Sequence, residues 1–398
     1  MTERSERGGS HRDDRGGHGE RRYRGGSGGG DRGDRGYRGG DRGDRGYRGG
    51  SGGGDRGHRG SDRGYRDRER GRSRRVYDDE PRDGLLADLI GHLHALDGRP
   101  YAAYKAIVGR YRAPAGWFLH IDRVQSDPYA PPTRIHVDVP TDLHGLELPD
   151  EADLLTNADR RLAVGDFLTR ELHAGFRGTA LSIASPGQEI LQRSSIIVRP
   201  DEKKEGAGWI LEARARLALP AQGRSIQGHE ASRIVGRDLV RELEEAMDLT
   251  GERGDRLVRH IATLEDHRAL TATAARNGWV SFLADGSVLP RRSGVSDEPL
   301  DGGVPLEAPE SMAATVELPH AGTVRGTVVE AGVNVIVGGG YHGKSTLLSA
   351  IERGVYPHVP GDGRELVATV PDAVKVRAAD GRAVTGVDLT PFISHLPA

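Results

Sequence analysis

At 398 residues the chain exceeds what one hydrophobic core usually serves, so at least two folded units are expected. Its formal charge of −2 hides a split: residues 1–75 hold 22 Arg against 13 Asp or Glu, a net +9, which leaves −11 for the rest. Cysteine is absent, which excludes disulfides, thiolate nucleophiles and cysteine-held metals. The opening MTERSERGG leads into no apolar signal core, and no window approaches 18 apolar residues, so a cytoplasmic chain without membrane contact is expected.

Residues 1–75 contain 25 of the 59 Gly and only five apolar or aromatic side chains, Met1, Tyr23, Tyr37, Tyr47 and Tyr65. That is too little apolar surface to offset the entropy of ordering them. The decapeptide DRGDRGYRGG occurs at 31–40 and again, unchanged, at 41–50. A repeat so rich in Arg and Gly has no face to stack, and residues 1–80 are expected to be a disordered low-complexity tail.

From Leu85 the positions Leu85, Leu86, Leu89, Ile90, Leu93 and Leu96 share one helical stripe that Gly98 ends. Short strands are expected at 117–121 and 135–139, the second alternating at Ile135, Val137 and Val139. Leu162, Phe167, Leu168 and Leu172 predict a helix over 160–173. Trp209, Leu211, Ala213, Ala215, Leu217 and Leu219 alternate with polar neighbours, the clearest strand signal in the chain. Helices are expected over 230–247 and 255–275, and strands at 279–284, 313–318 and 323–329. The Gly-, Pro- and acid-rich stretch 285–312 reads as surface loop. Residues 81–248 thus read as an α+β domain and 249–398 as a second domain.

The second domain carries the chemistry. In VNVIVGGGYHGKSTLLSAIER (333–353), Val333–Val337 read as a buried strand, and Gly338 to Ser345 fit G-x-x-x-x-G-K-[ST] at every fixed position. A helix follows with Leu347, Leu348 and Ile351 on one face and Gly354 as its C-cap. Gly338, Gly339, Gly340, Tyr341, His342 and Gly343 form a loop whose glycines let successive N–H groups point at a phosphate. Lys344 is expected to reach the β and γ phosphates, Ser345 to complete a Mg²⁺ shell, and Thr346 to meet the α phosphate. ATP and Mg²⁺ are the expected ligands. Hydrolysis also needs a carboxylate on an apolar strand and a residue that positions water. Downstream of Ser345 no apolar run ends in Asp or Glu, and no Gln occurs. Upstream, Val280–Asp285 ends in a carboxylate but precedes the loop, the wrong order for most such ATPases.

GGGYHGKSTLL, with IERGVYPHVPGDGRE, PDAVKVRAADGR and VTGVDLTPFI after it, resembles the predicted ATPases of the ABC class. LDGRPYAAYK (96–105), HIDRVQSDPYAPPTR (120–134), SPGQEIL (185–191) and LADGSVLPRRSGVSD (283–297) resemble the N-terminal domain of that family and its entry into the ATPase domain. The resemblance runs from about residue 85 to 398 and leaves out the Arg-Gly tail. It implies an α/β fold: a P-loop ABC-type nucleotide-binding domain, incomplete here, preceded by an α+β domain. The family's signature segment and Walker B carboxylate are expected beyond Ala398, since 53 residues after Ser345 are too few to finish a parallel nucleotide-binding sheet. ABC-type sites close against a second subunit, so a homodimer is a further expectation. Transporter domains of this class stack adenine on an aromatic ahead of the loop, but residues 313–333 contain no Phe, Tyr or Trp.

Arg-Gly repeats with interspersed Tyr suit RNA, because guanidinium groups pair with phosphates and stack on bases. Each decapeptide, however, carries two Asp beside its three Arg. RNA binding, a solubilising linker and docking on the acidic body all stay open for the tail. His92 and His94, two apart on a helix, face different ways and suit a surface better than a metal. Arg291 and Arg292 are candidates for a phosphate or a solvated turn, and Asp122 and Asp127 for a cation or loop capping. Two functional readings follow. One is a non-transporting ATP-binding protein of the ABC ATPase class that acts on RNA or ribonucleoprotein. The other is an RNA-binding, condensate-forming protein that uses nucleotide only as a ligand.

Overall fold

The computed structural model describes residues 82–140, 155, 157–201, 208–376 and the single positions 381, 385, 386 and 388. The Arg-Gly tail expected over 1–80 lies outside them.

Strand β1 (Arg82–Leu85) leads into α1 (Leu86–Ala95), where Asp88 in the first turn accepts the Leu85 N–H at 2.8 Å. A 3₁₀ segment (Tyr101–Ile107) follows, with the Tyr104 hydroxyl donating to the Pro220 carbonyl at 2.9 Å. Then come β2 (Gly109–Arg112), β3 (Phe118–Arg123), β4 (Thr133–Pro140) and α2 (Ala158–Gly175), the last capped by Asn157. Strands β5 (Leu181–Ser182), β6 (Ile196–Pro200) and β7 (Trp209–Leu217) complete a seven-stranded sheet. Its order is β1-β2-β3-β4-β7, with β5 and β6 sharing the far edge of β7. Every pairing is antiparallel except β1 with β2. A small ribbon, β8 (Ala221–Gln222) with β9 (Ser225–Ile226), precedes the next helices.

Helix α3 (Gly228–Arg233) runs through a π-helical stretch (Ile234–Leu239) into α4 (Val240–Met247), so the expected helix over 230–247 is present but locally widened. Helix α5 (Gly251–Arg276) is 26 residues, about 39 Å at 1.5 Å per residue. Inward residues of the sheet (Leu119, Ile121, Ile135, Val137, Leu211) and of the helices (Leu168, Leu172, Leu243, Leu257, Leu264) make one apolar core. The alternation predicted for 135–139 and 209–217 is what places one face of β4 and β7 in it.

The second half builds on the C-terminal half of α5. Strands β10 (Trp279–Ala284), β11 (Arg291–Ser293), β12 (Ser296–Pro299), β13 (Ala313–Leu318), β14 (Gly322–Glu330) and β15 (Val367–Thr369) flank helix α6 (Lys344–Arg353). The sheet order is β13-β14-β10-β15, antiparallel throughout. Leu270 of α5 packs with Phe282, Val316, Val328 and Ala368, and Ala350 of α6 packs with Leu283 and Val367. α5 therefore belongs to both cores and ties the two halves together.

Three expectations need correction. The stretch 285–312 is not all loop, since β11 and β12 pair as a hairpin. Val333–Val337 form neither a strand nor a buried segment: Val333 is 88% exposed, Val335 75% and Val337 81%. Apolar content alone cannot make a strand, because the backbone groups need a neighbouring strand, and among the described residues none pairs with this segment. Leu348 is 43% exposed, and the packed face of α6 is Leu347, Ala350 and Ile351.

Candidate nucleotide-binding site

The Gly338–Gly343 loop turns through left-handed backbone at Tyr341 (φ 62°) and Gly343 (φ 79°). Gly343 takes that conformation freely, whereas Tyr341 pays a steric cost and is fully exposed at the loop tip. His342 braces the turn by accepting the Gly339 N–H on Nδ1 at 3.2 Å. Lys344 folds back so that its Nζ donates to the carbonyls of Gly338 (2.7 Å) and Gly339 (2.5 Å). Gly343 precedes α6 without a side-chain cap, which leaves the first-turn amides of α6 turned outward with the positive end of the helix dipole. A phosphate oxygen is a stronger acceptor for a charged donor than a carbonyl, so an anion would draw Lys344 off the loop. The donor set, an ammonium, free helix amides and the Ser345 hydroxyl, fits a Mg²⁺–nucleotide.

The opposite end of α6 is pinned. Thr369 donates its hydroxyl to the Ile351 carbonyl at 2.7 Å, and its N–H to the Gly354 carbonyl at 2.8 Å. His267 of α5 lies 3.0 Å from the same Gly354 carbonyl through Nε2. Burial pushes the His267 pKa down to about 4, so a neutral ring donates this bond at pH 7. Gly354 does cap the helix as expected, but in right-handed backbone. Its reason is space: an added Cβ would lie 2.8 Å from Thr369 Oγ1.

Ser345 and Thr346 open onto a cavity of about 410 Å³ that Glu189, Arg291, Asp297, Arg353, His358 and Arg364 also line. The first-half segment around Glu189 reaches it through a backbone bridge, Ile190 N–H to the Pro357 carbonyl at 2.8 Å and Val359 N–H to the Gln188 carbonyl at 2.9 Å. Arg291 is held there by Asp362, with 2.7 Å to Oδ2 and 3.0 Å to the Asp362 carbonyl. Burial opposes ionisation of Asp362, but His358, at 2.7 Å, and Arg291 outweigh it and keep its carboxyl below the usual range. The three carboxylates beside Ser345 are all engaged: Glu189 with Arg353 (2.8 Å), Asp297 with Arg353 (3.9 Å) and Glu352 with Lys375 (2.6 Å). Glu189, Asp297 and His358 lie in three separate segments, SPGQEIL, LADGSVLPRRSGVSD and IERGVYPHVPGDGRE, and only the tertiary packing brings them together here.

Of the other candidates, Arg291 reaches this cavity and Arg292 does not; Arg292 pairs with Glu298 at 2.5 Å on the hairpin surface. Asp285 serves the fold, accepting from Arg325 (2.5 Å) and from the Ala308 N–H (2.7 Å), and lines a different surface. Asp127 caps the Tyr129 N–H at 2.9 Å, and Asp122 pairs with His136 at 2.9 Å. His92 meets Arg82 while His94 lies 2.7 Å from Ser232, so the two do not converge. His120, His136 and Asp138 bring ligand atoms within 4.8 Å of one another. Their rings stack at 4.1 Å, however, and Arg199 already engages Asp138 at 3.1 Å.

A family profile described as the N-terminal domain of ATPases of the ABC class matches residues 86–249, and one described as an ABC ATPase P-loop domain matches 253–398. An uncharacterized protein of Methanocaldococcus jannaschii is 33% identical over 101 residues, 25% of this chain and 22% of the relative. The match thus spans about a fifth of that relative's length. No helix among the described residues is long and apolar enough to cross a membrane.

Proposed function

We propose that this chain, which belongs to the ATPases of the ABC class, binds ATP with Mg²⁺ at Gly338–Thr346. The observation that carries this reading is Lys344, arched over a left-handed loop and bonded only to carbonyl oxygens beside an uncapped helix end. Gly338, Gly339, Gly340, Tyr341, His342 and Gly343 shape the cradle. Lys344 meets the β and γ phosphates, Ser345 holds the metal, and Thr346 meets the α phosphate. The bound Mg²⁺ would neutralise phosphate charge. Each neighbouring carboxylate has a cation beside it, Arg353 or Lys375, which competes with a metal for it. Binding with slow turnover is therefore the reading for residues 1–398 alone. A second copy closing over the nucleotide is the natural route to faster turnover, which makes a homodimer part of the proposal. The functional domains are placed at 81–248 and 249–398.

Calorimetric titration of ATP with and without Mg²⁺, paired with phosphate release, tests this reading. Lys344→Ala should raise Kd, and Ser345→Ala should remove mainly the Mg²⁺-dependent part. Equal affinity in wild type and Lys344→Ala would refute it.

The Arg-Gly repeats at 31–50 support RNA contact as a further part of the proposal. Deleting residues 1–75 should flatten the salt dependence of RNA affinity. Unchanged affinity and salt slope would remove RNA from the reading.

A further inference from the structure

The face of the seven-stranded sheet opposite the core carries its own cluster. Arg134 of β4 stands directly across from Arg216 of β7, both exposed, and Arg123 is the register partner of Arg134 on β3. Like charges directly opposed on a sheet are destabilising. Other charged groups on this face have partners: Arg214 meets Glu212 at 2.6 Å, Arg199 meets Asp138 and Glu212, and His136 lies 2.9 Å from Asp122. Among the described residues, the side chains of Arg134 and Arg216 make no hydrogen bond or ion pair. They line a cavity of about 620 Å³ with Ser182, Ser185, Ser194 and Ser195, and Asp122 is the one carboxylate among its lining residues. Paired register also puts Ser182 of β5 next to Arg216, so hydroxyl and guanidinium donors converge.

We propose that this cavity is a second anion site, independent of the phosphate loop, which takes a small ligand carrying a phosphate group between Arg134 and Arg216. Two unopposed guanidinium groups supply planar, forked donors that match phosphate oxygens. The serine hydroxyls add neutral donors, and the volume falls in the range of small-molecule pockets. The bound anion removes the repulsion that the empty face bears. No residue lining this cavity also lines the one beside Ser345.

The test uses the full chain carrying Lys344→Ala, which weakens the phosphate loop's own binding, and inorganic pyrophosphate as the probe. Calorimetry should show one site that weakens about tenfold to a hundredfold on adding Arg216→Glu, the expected loss of a charge-assisted contact. The same change sets a carboxylate opposite Arg134, so the melting temperature without ligand should rise as pyrophosphate binding falls. That opposition separates a ligand role from a structural one. Arg134→Gln is the second variant and should weaken binding similarly without building an ion pair. Pyrophosphate affinity unchanged in both variants overturns the proposal. So does a result in which a short oligothymidylate binds here and pyrophosphate does not, which would assign the face to a nucleic-acid strand.

Discussion

The core of the first half and the segment leading into the phosphate loop treat apolar sequence in opposite ways. In the first half, Leu89, Leu93, Leu119 and Ile135 are at most 2% exposed, inside one core of sheet and helices. In the second, the run Val333–Val337 lies open beside the phosphate loop, while the far end of α6 is clamped by Thr369 and His267. A rigid anchor at one helix end and an open loop at the other suit a site that must admit a large anion. Regions that bind and move belong to the low-stability end of a fold.

The sharpest way to break this contrast is at Asp166. Its buried carboxylate accepts from Arg170 (2.7 Å) and the Leu191 N–H (3.2 Å), lies 3.1 Å from His260, and also pairs with Arg193. Asp166→Asn leaves the half-buried Arg170 and Arg193 without their carboxylate partner and should cost about 1.5–3 kcal/mol in denaturant unfolding. ATP affinity of the surviving folded fraction should hardly change.

Acid comes next. Burial first, then Arg170 and Arg193, push His260 down to about 3, and burial holds His267 near 4. Both fall below the ordinary value near 6.5, so their contribution is complete above pH 6.5 and is lost as pH falls toward 4. Each should remove on the order of 1–3 kcal/mol over that window, and His260→Gln should flatten the pH profile of the melting temperature.

Lys344→Ala should cost about 1.5–3 kcal/mol of ATP binding, roughly tenfold to a hundredfold in Kd, and leave the unfolding midpoint unmoved. A matching loss of stability would mean that the loop belongs to the core after all. Gly354→Ala drives a methyl against Thr369 and should cost about 1–3 kcal/mol, read by thermal melting. The smallest effect is expected at Val335, where Val335→Ser should shift stability by less than about 0.5 kcal/mol, as at exposed positions generally. A loss near 2 kcal/mol would show that Val335 is covered in solution.

Local pattern carried most of the elements. Helices α1 and α2 and strands β4 and β7 lie where their periodicities place them, because a 3.6- or 2-residue repeat already selects which face is buried, and α5, β10, β13 and β14 lie at the expected ranges. The phosphate loop was equally legible, since its glycines, Lys344 and Ser345 are neighbours in the chain. Arg291 and Arg292, by contrast, are adjacent and chemically alike, and only Asp362, some 70 residues on, draws Arg291 to the cavity. The hairpin at 291–299, the spatial role of Gly354 and the unopposed Arg134–Arg216 pair likewise depend on partners far along the chain.

Sequence by itself determined the period of the clearest elements and which donors stand together in the loop, both of which are set within a few residues. Tertiary structure alone decided which apolar run is covered, which arginine is paired and which sheet face stays open. Those outcomes depend on backbone and charge partners supplied from elsewhere in the fold, and Val333–Val337 has none among the described residues.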